Sequence, residues 1–182
     1  MKSILHLKFI ALYAIFGFLC LFTTATLTTQ LVTNRLMEDT SQTLYKEATL
    51  IASDYLPSYF TDDSSLYAVQ SQLAAMRLYL EASLWFVDAD GTMITASNLE
   101  NTSSPEAIED FNPAEIGGNQ HISGTYHGYF KEEVITVMAP VIHRYSTEGY
   151  LLIHRPISEI EDRCRQIMIP VYISTGFIFL LS

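Results

Sequence analysis

Hydrophobic and polar positions divide the chain into two uncharged ends and a patterned middle. From Phe9 to Asn34 there is no Asp, Glu, Lys or Arg, and the portion up to Leu27 is rich in Leu, Phe, Ile and Ala. That is enough apolar helix to cross a hydrocarbon core of about 30 Å. Ile167 to Ser182 is also uncharged but has sixteen residues, about 24 Å at a helical rise of ~1.5 Å per residue. We therefore expect a cytoplasmic tail over residues 1–8, a first transmembrane helix over 9–30 and a folded extracytoplasmic domain over 31–166. Residues 167–182 are expected to begin a second transmembrane helix, with the rest of that helix and any output domain beyond Ser182.

The middle changes period along its length. Leu44, Ala48, Ile51 and Tyr55 recur at helical spacing among polar residues, so the first helix should run out of the membrane as far as Pro57. A second helix is predicted from Ser64, with Leu66, Val69, Leu73, Met76 and Leu80 on one face. Leu84–Val87 and Thr92–Ala96 then read as strands joined by Asp88-Ala89-Asp90-Gly91, in which Gly91 supplies the positive φ. Leu99 to Asn119 is a long polar connection with one helical turn expected around Pro105 to Asp110. Three further strands are predicted at Ile122–Tyr129, Val134–Ile142 and Tyr150–His154. Turns at Lys131-Glu132-Glu133 and Ser146-Thr147-Glu148-Gly149 would join them as an antiparallel meander. Pro156 is expected to open a helix that runs on into the second apolar stretch.

Charge adds orientation. All 20 acidic residues lie between Glu38 and Asp162, opposed within those limits before Arg163 by Lys46, Arg77, Lys131, Arg144 and Arg155, five against twenty, a balance of −15. A field of this sign disfavours nucleic acid, keeps the domain soluble and favours cations or basic peptides. Lys2 and Lys8 before the first span place it with its N-terminus in the cytoplasm, while Arg163 and Arg165 pull the other way. The rival reading of the N-terminus is a cleaved signal peptide, but no small-x-small cleavage site follows it. Cys20 and Cys164 lie at different membrane depths, too far apart for a disulfide.

The order of these elements resembles the extracytoplasmic PAS-like, or Cache, domain of bacterial transmembrane sensors. The resemblance rests on the membrane-rooted long helix, the short helix after it and the Leu84-Trp85-Phe86-Val87-Asp88-Ala89-Asp90-Gly91 hairpin. Val137-Met138-Ala139-Pro140-Val141, followed by Gly149-Tyr150-Leu151-Leu152-Ile153, completes it. It covers almost the whole chain. It implies an α+β fold with a five-stranded antiparallel sheet, flanking helices and two transmembrane helices, most often in the sensor region of a two-component histidine kinase. Chemoreceptors and cyclic-dinucleotide enzymes use similar ectodomains. The implied partners are a small molecule, ion or peptide ligand, the lipid bilayer, a second copy in a homodimer and a cognate response regulator. No cofactor is expected in this chain; ATP and Mg would belong to a kinase domain beyond it. The Arg, Tyr and Asp combination of amino-acid-binding relatives is absent, so no specific ligand carries over.

Candidate chemistry follows from the sheet. A sheet covered by helices on one face leaves the other for the long connection to close over, and pockets in such places are apolar with a few polar anchors. Trp85, Tyr126, Tyr129, Arg77 and Arg144 are the candidate ligand-binding residues. His121, His127, His143 and His154 lie on or beside the sheet, with His121 and His127 on one face by alternation, but none forms a short ligand pair. Asp88 and Asp90 fit a turn better than a paired-carboxylate site, because Asp side chains satisfy backbone N–H groups there. No nucleophile elbow or phosphate-binding glycine loop is present, so no catalytic residue is assigned. The alternative to a receptor is a membrane-anchored binding or assembly protein without enzymatic output.

Overall fold

A computed structural model describes residues 2–61, 65–97, 107–117 and 121–181. The predicted start of the second helix at Ser64 and residues 99–106 and 118–119 of the long connection lie outside the described residues. The chain divides into two compact units, Met1–Met37 with Glu159–Ser182, and Glu38–Ser158.

In the first unit, helix α1 (Lys2–Asp54) supplies the apolar N-terminal stretch. Among the described residues Leu12–Phe60 contains the one helix long and apolar enough to cross a membrane. Its threonines are accommodated locally: the hydroxyls of Thr26 and Thr29 donate to the carbonyls of Phe22 and Ala25 at 2.9 and 2.8 Å. Such i−4 bonds satisfy a polar side chain where lipid offers no partner. Helix α5 (Ile157–Leu181) carries Pro170 inside it. The hydroxyls of Thr29 and Tyr172 are hydrogen-bonded, and Thr33 Oγ1 lies 3.2 Å from Cys164 Sγ.

In the second unit α1 continues without a break and buries Leu44, Ala48 and Ile51 of the predicted stripe together with Ala52, while Tyr55, just beyond the helix, stays exposed. Helix α2 (Pro57–Phe60) starts on proline, whose fixed φ suits a first turn. Helix α3 (Leu66–Leu80) is capped by Ser65, whose Oγ accepts the Ala68 N–H at 3.2 Å. It buries Val69, Leu73 and Leu80, whereas Leu66, assigned to the same face from its spacing, is exposed. Glu81 closes α3 in the left-handed region at φ 51. The Arg155 guanidinium holds its carboxylate at 2.7 Å.

Strands β1 (Ser83–Asp88), β2 (Met93–Ala96), β3 (Ile122–Gly124), β4 (Val134–His143) and β5 (Ser146–Pro156) form one sheet in the order β2-β1-β5-β4-β3. Every pairing is antiparallel, so the predicted hairpin and the predicted meander join through β1 and β5. Strand alternation gives the sheet two buried faces. Leu84, Phe86, Ile135, Val137, Leu151 and Ile153 share one of them and are fully enclosed. Phe86 meets Tyr59 and Phe60 of α2 edge to face. Trp85, Val87, Ala96, Val134, Met138 and Leu152 form the other and pack with Ile108, Ile116 and Tyr126 from the connecting segments. Each such side chain contributes about 1.5–3 kcal/mol by burial.

Three local expectations are corrected. The third strand ends at Gly124, because Thr125–Tyr129 turns through left-handed residues Tyr126 (φ 42) and His127 (φ 52). That turn also breaks the alternation expected to align His121 with His127. The β4–β5 turn falls at Arg144 and Tyr145, both with positive φ, so Ser146–Gly149 is strand and not turn. This is the twist-matched two-residue hairpin geometry, reached here without glycine. Around residue 107 there is a bridge to Thr92 and no helix, and a short helix α4 (Ala114–Gly117) follows instead.

Candidate ligand-binding site

The Asp88–Thr92 turn fixes one end of the site. The Asp88 carboxylate accepts the N–H groups of Asp90 and Thr92 at 2.9 and 2.8 Å, which is the turn role anticipated from sequence. Gly91 has φ +87, and a Cβ there would lie 2.5 Å from Phe111. Its missing side chain therefore admits both the turn and the returning segment, whose Ile108 N–H donates to the Gly91 carbonyl at 3.0 Å. From there the segment roofs the second sheet face. The Tyr129 hydroxyl accepts the Glu109 N–H at 3.2 Å, and the Phe130 N–H donates to the Thr125 carbonyl at 3.1 Å.

Under this roof Trp85 is enclosed by aromatic rings. Its centroid lies 6.0 Å from Tyr126 and 5.8 Å from Tyr129, both edge to face, and it stacks on Phe130 at 5.4 Å. The fourth neighbour is His154 at 4.5 Å. Trp85 and His154 are 1% and 0% exposed. Ser83, His154, Thr136 and Ile122 form one row across the sheet. Within it Thr136 Oγ1 lies 2.8 Å from His154 Nδ1, while His154 Nε2 has no hydrogen-bond partner among the described residues. Burial lowers the His154 pKa from 6.5 to about 3, so the imidazole is neutral at physiological pH. Burial also raises the Tyr126 phenol well above its usual range, with the Glu115 charge next and Tyr129 after it.

Beside this row, at the β3 edge, opens a cavity of about 260 Å³. It is lined by Glu115, by Ile122 to His127 and by Thr136. This is close to the lower end of the range typical of small-ligand pockets.

Of the five residues expected from sequence, the structure gathers three: Trp85, Tyr126 and Tyr129. Tyr126 lines the cavity directly, while Trp85 is core behind it. Arg144 sits exposed on the β4–β5 turn, six residues beyond Met138 in the Trp85 row, about 20 Å along the strand at ~3.4 Å per residue. Arg77 lies in the last turn of α3, which packs on β1 and β2 and contributes nothing to the Trp85 cluster. Residues not singled out were Thr136, Phe130, Glu115 and the role of His154. Strand parity was the available signal for two of these, since His154 shares a face with Leu152, and Thr136 with Met138. Among the described residues no three of His, Cys, Asp and Glu gather as metal ligands.

Comparison with family profiles and with curated proteins by sequence returns no match. Solved structures do match. The sensor domain of the V. cholerae histidine kinase DctB aligns with a TM-score of 0.50 and 20% identity over 73% of this chain and 56% of that chain. The extracellular domain assigned to a histidine kinase, vpHK1S-Z8, aligns with a TM-score of 0.54 and 13% identity over 76% of this chain and 60% of that chain. The chain shares the fold of these two domains, PAS-like in its five-stranded antiparallel sheet with flanking helices. It spans somewhat over half the length of these two chains. The ligand-binding domain of the Campylobacter jejuni chemoreceptor Tlp3, solved in complex with L-valine, gives a TM-score of 0.48 at 19% identity, too low to decide anything further. In the unit Glu38–Ser158, the roofed sheet face and its cavity are the candidate site.

Proposed function

We propose that this chain is the sensing and membrane-anchoring part of a transmembrane receptor, with Glu38–Ser158 outside the cytoplasm and α1 and α5 as its two spans. The output is a two-component histidine kinase, acting as a homodimer on a response regulator, and a small molecule is the stimulus. One observation carries this reading. The cavity wall and the membrane-directed helix share a strand system: Thr136 lines the cavity, His154 pairs with it, and two residues later β5 ends at Pro156 and α5 begins. The Ile157 N–H also donates to the Glu133 carbonyl at 2.9 Å, one residue before β4 starts. A ligand that shifts β4 against β5 therefore acts within a few residues of the start of α5.

Such a ligand biases two existing states only by its differential affinity for them. A connector without slack is needed to pass that bias on, and the His154-Arg155-Pro156-Ile157 junction contains no glycine. The test is a Gly-Ser-Gly-Ser insertion between Arg155 and Pro156 in the full-length receptor, read by autophosphorylation in membranes with and without stimulus. The response should disappear while ligand affinity stays unchanged; a preserved response contradicts the relay. For topology, Ser146→Cys should label with an impermeant thiol reagent in intact cells and Ser3→Cys should not.

A further inference from the structure

The chemistry of the cavity wall narrows the ligand class, an inference that rests on the sensing role proposed above. Glu115 brings a carboxylate to the lining, and Thr125 and Thr136 bring hydroxyls, while Ser123, paired with Ile135, turns its side chain to the other sheet face. Lysine and arginine do not occur among its described lining residues. Each of the five basic side chains of Glu38–Ser158 lies elsewhere. Lys46 is on α1, Arg77 on α3, Lys131 in the loop before β4, Arg144 on the β4–β5 turn and Arg155 on Glu81. His127, the lining imidazole, donates or accepts as its tautomer dictates. The unit as a whole holds seventeen acidic residues against five basic ones, so its field draws in cations and repels anions.

The aromatic side of the cavity agrees with this. Tyr126 is 7% exposed and remains a neutral phenol, because burial and the Glu115 charge both oppose its ionisation. It offers a ring and a hydroxyl to a ligand but no negative charge. A carboxylate or phosphate entering here would meet Glu115 with no Lys or Arg among the described lining residues to offset it, a combination that costs affinity in a partly desolvated site. An ammonium group meets a carboxylate and hydroxyl acceptors within one wall, beside an aromatic ring.

We infer that the β3-edge cavity binds a small organic cation, with Glu115 as its charge partner, the Thr125 and Thr136 hydroxyls as hydrogen-bond acceptors and Tyr126 as its apolar contact. Thr136 is a positioning residue as well, because its hydroxyl also meets His154. A ligand that draws on that hydroxyl changes the Thr136–His154 bond and so the environment of Trp85, which packs on His154.

Trp85 is the single tryptophan and supplies the readout. The full chain in lipid nanodiscs is titrated at pH 8, where imidazoles are neutral, with three probes of matched carbon chain: butylammonium, butanol and butyrate. Trp85 emission should change saturably with butylammonium and do so about fivefold more weakly with butanol, the ceiling for an ion pair that water still reaches. Butyrate should give no change. Glu115→Gln, at an exposed helix position, should bring butylammonium down to the butanol level and leave butanol unchanged. Butyrate binding as well as butylammonium, or an amine preference that survives Glu115→Gln, overturns the cation assignment while leaving a sensing cavity in place. No saturable change with any of the three overturns the assignment together with the cavity as a ligand site.

Discussion

His154 makes the stability of the unit Glu38–Ser158 depend on pH in a defined direction. Its folded pKa is depressed to about 3 by burial, against 6.5 when unfolded. Between these values the unfolded chain binds a proton that the folded one refuses, so this group's contribution to stability is lost as pH falls from about 6.5 toward 3. The slope is about 1.4 kcal/mol per pH unit, which integrates to about 2 kcal/mol between pH 7 and pH 5. The many carboxylates of the domain also titrate at low pH, and comparison with a variant cancels them. Replacing the pair together, His154→Phe with Thr136→Val, removes the titrating ring without orphaning the threonine hydroxyl, a substitution of two polar partners that is close to neutral in itself. Urea unfolding of Glu38–Ser158, followed by circular dichroism at pH 7, 6 and 5, measures the difference. The parent should lose about 2 kcal/mol more than the double variant over that range. Parallel losses in the two proteins would refute a buried neutral imidazole at position 154.

Gly91→Ala should cost more than about 2 kcal/mol, since it combines a left-handed φ with a Cβ placed 2.5 Å from Phe111; thermal melting of the same unit reads it. Asp88→Ala should cost about 1–2 kcal/mol by releasing two backbone N–H groups, and Asp88→Asn should cost less because its side-chain oxygen still accepts. Trp85→Ala should destabilise by about 3–5 kcal/mol, as expected for a fully enclosed large ring, so a lost response in that variant follows from loss of fold.

Much of the second unit was legible in sequence because two periods are imposed by burial. Leu44, Ala48 and Ile51 announced one face of α1, and the apolar run Leu84-Trp85-Phe86-Val87 announced a strand, which the structure buries on both sides. Gly91 announced its turn because few other residues tolerate that φ. The β4–β5 turn was misplaced for the converse reason: Arg144 and Tyr145 adopt left-handed backbone without the Gly or Asn that signals it. The strand at Ile122 was overextended because Tyr126 and His127 look like strand residues, and tertiary packing on Trp85 and His154 overrides that local preference. Large aromatics pointed to Trp85, Tyr126 and Tyr129, which the fold gathers, whereas only the packing of α3 and the β4–β5 register place Arg77 and Arg144 apart from them.

We propose that the roofed sheet face receives the stimulus and passes it along β4 and β5. Hydrogen exchange read by mass spectrometry tests this most directly, on the full chain in nanodiscs with and without the compound that most raises its melting temperature in a small-molecule screen. Protection should rise in 122–127 and along 134–156, and exchange in 66–80 of α3 should stay unchanged. Protection confined to α3 or to the Arg144 turn, with 122–136 unaffected, would contradict it.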